Sequence, residues 1–397
     1  MEQNVDLLLE EKGELDYFFT NENVENETEK RKRIAHRLLE RITDEYIYRD
    51  NLPSNWQSVF MEKFESIQTD NNYQKWKENV IDSLGDHHSH YVRIPCGDHA
   101  NDGKIGITFH RNRQKDGLII ESVLPKSPAD KAGLKSRDKI VEVNGMLISQ
   151  IQPTKPRKGK YIYLKIIRPG QEGIKEIRMI KNQKPIINKV IIPNGILTTK
   201  KGKRIGYLLF LNFEFQNICD EVKKVLREMT EASQLDGIVI DNRINQGGYK
   251  NVEEEILSYF TEGKVCYYVD CHKTKRYCNV KGNDINGTSK IPLVILIGPE
   301  TASSGETFSL ALREKGRAYL IGGETAGLLE SLGGFDFEDG SYAWFANEIY
   351  KPKSHSRRIT SQNKLLTDYH VPTLWEEVSD EKDPSINAAL DYFDRYS

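Results

Sequence analysis

The chain has 397 residues, of which 38% are hydrophobic and 29% are charged, proportions typical of a globular protein with two or three domains. Lysine and arginine total 57 against 59 aspartates and glutamates, so the net charge is close to zero. This balance favours neither nucleic acid nor an anionic membrane as the main partner, and no apolar run approaches the roughly 20 residues of a membrane span.

The first 25 residues are polar and acidic, and predict a loosely ordered segment. They lack the basic start, the long apolar stretch and the small-residue cleavage site of a signal peptide. If Met1 is the natural start, we expect a cytoplasmic protein, whereas a true start further upstream would leave export open.

Residues 26–100 predict a small helical domain that ends in a histidine-rich loop. Apolar residues recur at helical spacing over 26–48, 54–67 and 72–84. The loop that follows contains three histidines in four positions, and histidine is the usual general base near neutral pH. A metal-ligand pair formed by His88 and His90, or an ordinary surface loop, is the alternative.

Residues 101–182 predict a compact, mostly β module. Short β-type runs are separated by turns and by one helical piece, SPADKAGL, at 127–134. This order of elements is typical of a domain that binds an extended peptide as an added strand. The elements are a strand, an SPA turn that opens a helix, a glycine that ends the helix, and a strand that closes in Val-Asn-Gly.

From residue 183 onward strands alternate with helices, which predicts an α/β core with a mainly parallel sheet. Ser303 lies where an apolar strand passes into a helix. A hydroxyl at such a turn is exposed beside the unpaired N–H groups of the first helical turn, which suit an oxyanion. Ser303 and Glu306 also match a helix capping box, which requires no catalysis.

A second segment, DNRINQGG at 241–248, follows another buried strand. Its glycine pair permits a tight turn whose N–H groups can face a ligand, although an ordinary strand-ending loop would use the same residues.

Five scattered cysteines do not form a disulfide framework. Cys266, Cys271, His272 and Cys278 lie close together in the sequence, but their spacing matches no standard zinc finger or ribbon. We therefore expect free thiols, no metal site and no cofactor.

Together and in this order, these segments resemble the C-terminal processing (tail-specific) serine peptidase family over roughly residues 30–395. Residues 104–181 resemble the family's inserted PDZ domain. Residues 241–248 are similar to its Asp-Leu-Arg-x-Asn-Pro-Gly-Gly motif, and residues 301–306 to its nucleophile motif. The positions that match the PDZ peptide-binding loop are Ile105, Gly106 and Ile107.

The resemblance implies a crotonase-like (Clp protease-like) core with Ser303 as the nucleophile. It also implies an oxyanion hole formed by the N–H groups of Ser304 and Gly247. Typical members take a lysine base from a Gly-Lys-Gly segment after the nucleophile. Leu328 stands in that place here, which excludes a Ser–Lys dyad at this position.

A branch of the family that includes the nisin-resistance proteins instead uses a histidine in the context Leu-Gly-Asp-Gly-His-Ser/Thr. Residues 84–89 are similar, with His87 in place of the glycine, and they point to His88 as the base. The branch also carries a Ser-Ser-x-Glu motif, which gives Glu306 a positioning or capping role. The sequence identifies no acid partner for His88.

The expected function is a serine endopeptidase that cleaves peptides or protein tails with a free C-terminus through an acyl-enzyme; assembly into a homo-oligomer stays open. Because the lysine is missing, a catalytically silent PDZ peptide-binding protein is the alternative. An acyl-transfer or acyl-CoA enzyme on the same core is a third reading, which the inserted PDZ domain disfavours.

Overall fold

The computed structural model describes residues 27–67, 69–93, 105–111, 116–150, 161–180, 191–352, 359–379 and 382–396. The helices are α1 (Glu27–Glu45), α2 (Trp56–Glu65), α3 (Asp70–Asp82), α4 (Pro128–Lys131), α5 (Asn217–Ala232), α6 (Lys250–Ser258), α7 (Ser304–Glu314) and α8 (Pro384–Tyr396). The first nine strands are β1 (His90–Val92), β2 (Ile107–Arg111), β3 (Leu118–Val123), β4 (Lys139–Val143), β5 (Met146–Leu147), β6 (Tyr161–Ile167), β7 (Ile174–Ile180), β8 (Asn194–Thr198) and β9 (Arg204–Leu209). The remaining strands are β10 (Gly237–Asp241), β11 (Gly263–Asp270), β12 (Lys275–Val280), β13 (Leu293–Ile297), β14 (Ala318–Gly322), β15 (Glu330–Asp336), β16 (Tyr342–Pro352) and β17 (Tyr369–His370).

The N-terminal segment 1–25 and Cys96 lie outside the described residues. Within the described part of the chain, no helix combines the length and the apolarity that a bilayer crossing needs.

The three N-terminal helices pack on a five-stranded sheet rather than around a core of their own. This sheet has the order β1-β16-β11-β12, and β15 pairs with β16. Leu38, Phe60 and Trp76 from the helices share one hydrophobic cluster with Phe335 and Phe345 from the sheet. The packing therefore ties the end of α3, and the histidine loop after it, to strand β16.

The predicted PDZ module is an antiparallel sheet with the order β2-β3-β4-β6-β7, in which β5 pairs with β4. Ser127 caps the short helix α4, because its hydroxyl accepts the N–H of Asp130 at 3.1 Å, and proline follows it at the start of the helix. Among the residues that the structure describes, strand β2 pairs with β3 alone and lies at the edge of the sheet.

The central sheet has the order β17-β14-β13-β10-β9-β8. All neighbours from β9 to β17 are parallel, and β8 is antiparallel to β9. Strands β10 and β13 are buried along their whole length, as their continuous apolar runs require. Residues of α5, α6 and α7 pack on one face, and Ala389 and Phe393 of α8 on the other. The mixed α/β architecture is thereby confirmed.

A buried network of charges anchors the loop after β10. Arg243 donates to Asp241 Oδ2 at 2.6 Å and to Asp383 Oδ2 at 2.7 Å, while Arg137 of the PDZ module donates to the same Asp383 oxygen at 3.3 Å. Burial raises the pKa of Asp241, but the Arg243 charge outweighs burial and holds the pKa below its usual value. The network fixes where the glycine pair leaves the sheet.

Candidate active site

Ser303 occupies a strained turn at the carboxyl end of β13. Its backbone has φ 50° and ψ −124°, a conformation that residues with a side chain rarely adopt. The turn is held from the loop after β10, because the Thr301 hydroxyl donates to Asn242 O at 2.8 Å and Ala302 N donates to Asn245 O at 2.9 Å. Helix α7 begins at the next residue, so Ser303 faces the cavity from the positive end of a helix.

Glu306 braces this turn from within. Its buried carboxylate accepts Ser303 N at 3.1 Å, Gly327 N at 2.8 Å and Leu328 N at 2.7 Å, together with the Thr325 hydroxyl. Burial raises the pKa of Glu306, and these donors only partly oppose that shift. The side chain thus links the turn at Ser303 to residues 325–328.

His88 lies in the loop after α3 and lines the same cavity as Ser303. Asp86 shapes the loop by accepting His88 N at 2.8 Å and Ser89 N at 2.6 Å. The Tyr46 hydroxyl donates to the other Asp86 oxygen at 2.9 Å. Burial raises the pKa of Asp86, but the hydrogen bonds outweigh it and the pKa is lowered. A main-chain loop fixed in this way leaves the histidine little freedom to move.

Glu330, the first residue of β15, is a carboxylate beside His88 that the sequence analysis did not single out. Its Oε2 lies 3.8 Å from His88 Nδ1, and both side chains are buried. This separation is that of an ion pair and exceeds a hydrogen bond; catalytic hydrogen bonds commonly tighten in the substrate complex. The Tyr48 hydroxyl donates to Glu330 Oε1. Burial raises the pKa of Glu330, but its pairing with His88 and Tyr48 prevails, so the carboxyl titrates below its usual range.

The glycine pair packs directly against the nucleophile turn. At Gly247, with φ +94°, an added Cβ would lie 2.7 Å from Ser303 Cβ and 2.8 Å from Ser304 N, so only glycine fits. The N–H of Gly247, however, donates to Asn245 Oδ1 at 2.9 Å. Gly248 lines the cavity, and its carbonyl accepts the Ser304 hydroxyl at 2.8 Å.

Ser304 is the first residue of α7, so its N–H has no i−4 partner inside the helix, and the residue lines the cavity. Of the two predicted oxyanion donors, the N–H of Ser304 therefore lies at the helix terminus. The N–H of Gly247 is hydrogen-bonded within its own loop.

The cavity that joins these groups has a volume of about 720 Å³, which is within the range of ligand sites. Besides Ser303, His88 and Glu330, its walls include Phe215, Tyr249, Lys250, Tyr268, Trp344 and Glu348. The mixture of aromatic and charged side chains suits a peptide rather than a wholly apolar ligand.

The predicted peptide-binding residues of the PDZ module lie away from this cavity. Gly106 has φ +77°, and its carbonyl accepts Leu124 N at 2.9 Å. The carbonyl of Ile105 accepts Ala129 N at 3.0 Å, which places the loop beside α4. Ile107 opens the edge strand β2, whose outer side carries no other strand among the described residues.

Four cysteines lie in the described part of the chain, and all four are free thiols. Cys266 and Cys278 are buried opposite each other on β11 and β12. Cys271 donates to Asp44 O at 2.9 Å, and His272 lies near Arg49. In the residues that the structure describes, no group of three or more histidine, cysteine or acidic side chains is arranged to hold a metal ion.

Serine, histidine and a carboxylate thus line one cavity at the end of a parallel sheet, an arrangement typical of serine hydrolases. The family model "Peptidase family S41" matches residues 204–371, and the "PDZ domain" model matches residues 98–158. Part of the chain thus matches the S41 peptidases, another part matches a PDZ domain, and the chain is similar to C-terminal processing proteases.

Individual relatives agree with this assignment. The carboxy-terminal processing protease CtpB of Bacillus subtilis is 25% identical over 291 residues, which cover 70% of this chain and 58% of that protein. The carboxyl-terminal-processing protease of Picosynechococcus sp. is 26% identical over 302 residues, which cover 72% of this chain and 69% of the relative. The match to the first of these relatives thus spans less than two thirds of its length.

Two solved structures share the fold. A putative S41 protease from Bacteroides fragilis superposes with a TM-score of 0.62 at 17% identity, covering 91% of this chain and 97% of that one. A photosystem II D1 C-terminal processing protease gives a TM-score of 0.60 at 17% identity, with the same coverage.

Proposed function

We propose that this protein is a serine endopeptidase of the C-terminal processing type, with Ser303 as nucleophile, His88 as general base and Glu330 as the acid that orients the base. The observation that carries the proposal is that these three side chains line one cavity in a chain whose residues 204–371 match the S41 peptidase model. The missing lysine is then no obstacle, because another proton acceptor reaches the serine's cavity.

The two ring nitrogens of His88 have different roles in this proposal. Nδ1 faces Glu330, so Nε2 is the atom that takes the proton from Ser303 Oγ. As Oγ attacks a peptide carbonyl, the imidazolium that forms is stabilised by the ionised Glu330. The tetrahedral intermediate collapses when His88 gives the proton to the leaving amine. Water then gives a proton to His88 as it attacks the acyl carbonyl, and the ester bond breaks as His88 returns the proton to Ser303 Oγ.

The oxyanion hole uses the N–H of Ser304 and the positive end of α7. Gly247 supplies the second donor once its N–H turns from Asn245 Oδ1 toward the cavity. Glu306 is a positioning residue, since it holds the backbone of Ser303 and lies beneath the reacting groups rather than against the substrate.

The finer classification of the fold is also part of this proposal. We infer a crotonase-like (Clp protease-like) core, supported by the four parallel strands β9, β10, β13 and β14 and by the nucleophile helix that starts after β13. The histidine-base branch of the family is supported by the loop at 84–89 and by Leu328, whose backbone is bound to Glu306.

The PDZ module is proposed to hold the C-terminal residues of a peptide or protein substrate. The open edge of β2 offers backbone groups for strand addition, and the loop at 105–107 starts that edge. A substrate held there leaves the rest of its chain available to the catalytic cavity.

A serine-directed phosphonate reagent, read out by intact mass, tests the proposal. Wild type, Ser303→Ala, His88→Ala and Glu330→Gln are treated with and without a peptide that ends in apolar residues. We expect a single adduct on wild type, its loss in Ser303→Ala, and much slower labelling in the other two variants. No adduct on wild type, with the peptide still bound, would instead establish the peptide-binding protein without catalysis.

A further inference from the structure

One wall of the active-site cavity carries charges that the proposed reaction does not use. Lys250 and Glu348 both line the cavity, and Lys250 Nζ donates to Glu348 Oε2 at 2.6 Å. The same ammonium group lies 3.8 Å from the centre of the Tyr268 ring. Arg276, on β12, donates to both oxygens of Glu348, at 3.2 Å and 2.8 Å.

This cluster contains two cations for one anion. Glu348 accepts three hydrogen bonds and has little capacity left, whereas only one of the three N–H donors of Lys250 is used there. The Lys250 side chain is 28% exposed, and burial lowers its pKa. A partly desolvated cation with donors to spare gains most from a second carboxylate.

The first two carboxylates that follow Lys250 on α6 do not supply that partner. Glu253, one turn along α6, is fully buried and accepts the Thr307 hydroxyl at 2.7 Å. Burial raises the pKa of Glu253 to about 8, so this group is mainly neutral at pH 7. Glu254 acts on Arg276 and is not part of the cavity wall. Glu214 also lines the cavity, but among the described residues Glu348 is the carboxylate that pairs with Lys250.

The cluster lies next to the nucleophile. Lys250 follows Gly248 by two residues, and the carbonyl of Gly248 is bonded to the side chain of Ser304. Thr307, one turn along α7 from the nucleophile, lines the cavity and connects α7 to α6. Because Lys250 and Ser303 line the same cavity, a peptide that binds across it lies against both side chains.

We propose that Lys250 selects peptide substrates with an aspartate or glutamate adjoining the scissile bond. The inference rests on the proposed function, because the subsite has meaning only if Ser303 attacks a peptide bond. The substrate carboxylate accepts the remaining donors of Lys250, while Arg276 keeps Glu348 in place. An aliphatic side chain would cover the Lys250–Glu348 pair without giving it a partner, so it is accepted poorly.

Cleavage of a peptide library, varied on both sides of the scissile bond and read by mass spectrometry, measures the preference directly. For wild type we expect acidic residues to be enriched at one adjoining position. We also expect kcat/KM to be about 10-fold or more higher for a glutamate peptide than for its glutamine counterpart. Lys250→Met should bring this ratio close to one, and Lys250→Glu should shift the preference to lysine or arginine. Lys200→Glu, at a side chain that is 84% exposed, should leave the ratio unchanged.

Phosphonate labelling of Ser303 distinguishes a failure of the acidic subsite from a failure of the proposed peptidase function. If Ser303 is labelled but wild type cleaves the two peptides equally, or prefers apolar neighbours, the acidic subsite is wrong and the peptidase assignment stands. If wild type is neither labelled nor active, the proposed function fails and the subsite with it. Should both Lys250 variants misfold and lose labelling, the wild-type ratio of glutamate to glutamine cleavage decides alone.

Discussion

Ser303 and His88 reach one cavity from two regions that are held in different ways. The nucleophile turn belongs to the parallel sheet, and its hydrogen bonds run to the neighbouring loop after β10, through Thr301 and Ala302. Its strained backbone is thus fixed by the most deeply buried part of the fold.

The base loop, by contrast, depends on side chains from the N-terminal helical region. Tyr46 binds Asp86, Tyr48 binds Glu330, and the Ser89 hydroxyl accepts Ala346 N at 3.0 Å. The alignment of His88 therefore depends on how α1 and α3 pack against β16. The position of Ser303 depends instead on the loop after β10. The difference implies that changes near the helices weaken catalysis while the nucleophile turn stays intact.

The largest effect should come from Glu330→Gln, which keeps the shape of the acid and removes its charge. We expect kcat/KM to fall by roughly 10³-fold or more, because the imidazolium of His88 loses its counter-charge. Glu324→Gln is the matched control, since the Glu324 carboxylate is half-exposed and pairs only loosely with Lys364 at 3.8 Å. A loss in Glu330→Gln no greater than in the control would remove Glu330 from the site.

Gly247→Ala tests the region around Ser303. The added methyl group meets Ser303 and Ser304, so we expect about 100-fold lower kcat/KM through displacement of the nucleophile turn. Gly202→Ala is the control. It imposes a similar backbone strain at φ +80°, but its added Cβ meets no atom within 4 Å beyond its chain neighbours. If the two variants retain equal activity, the close packing of the glycine pair on Ser303 is unimportant.

Tyr48→Phe sharpens the comparison, because it removes one donor to Glu330 and leaves the nucleophile turn untouched. As a positioning change it should lower kcat by about 10-fold with little effect on KM. Tyr396→Phe, at a side chain that is 73% exposed, should change neither constant. A rise in KM at constant kcat would mean that Tyr48 contacts the substrate instead.

The smallest effect concerns folding. Lys77 donates to Asp339 Oδ2 at 2.6 Å where α3 meets β16, and burial raises the pKa of Asp339 while Lys77 lowers it to about 2. Since this pKa lies below the unfolded value of about 3.9, the stabilisation is present above pH 4 and is lost as the pH falls toward 2.

The Lys77–Asp339 pair should stabilise the fold by about 2 kcal/mol. The free energy of unfolding in urea, measured at several pH values, gives this contribution. Asp339→Asn should flatten that pH dependence, and an unchanged slope would show that the pair contributes nothing.

Much of the fold could be predicted from the sequence, because the decisive signals are local. Continuous apolar runs predict the buried strands β10 and β13, and the SPA turn predicts the start of α4. Ser303 is recognisable for the same reason, since a strand, a small-residue loop and a helix follow one another within a short segment.

Glu330 could not be found in this way. It opens a strand that carries no motif, and only the antiparallel pairing of β15 with β16 brings it to His88, more than two hundred residues earlier in the chain. The hydrogen bond from Gly247 to Asn245 is equally beyond the sequence, because a glycine motif reveals a tight turn and not the direction of its N–H groups.

The central claim is that Ser303 and His88 act as one catalytic unit, and a double-mutant comparison of kcat/KM tests it most directly. Hydrolysis of one peptide is measured with wild type, Ser303→Ala, His88→Ala and the double variant. We expect each single change to lower kcat/KM by at least about 10³-fold and the double variant to be no worse than Ser303→Ala, because neither residue works without the other. Losses that multiply, or a His88→Ala variant with nearly wild-type activity, would contradict it.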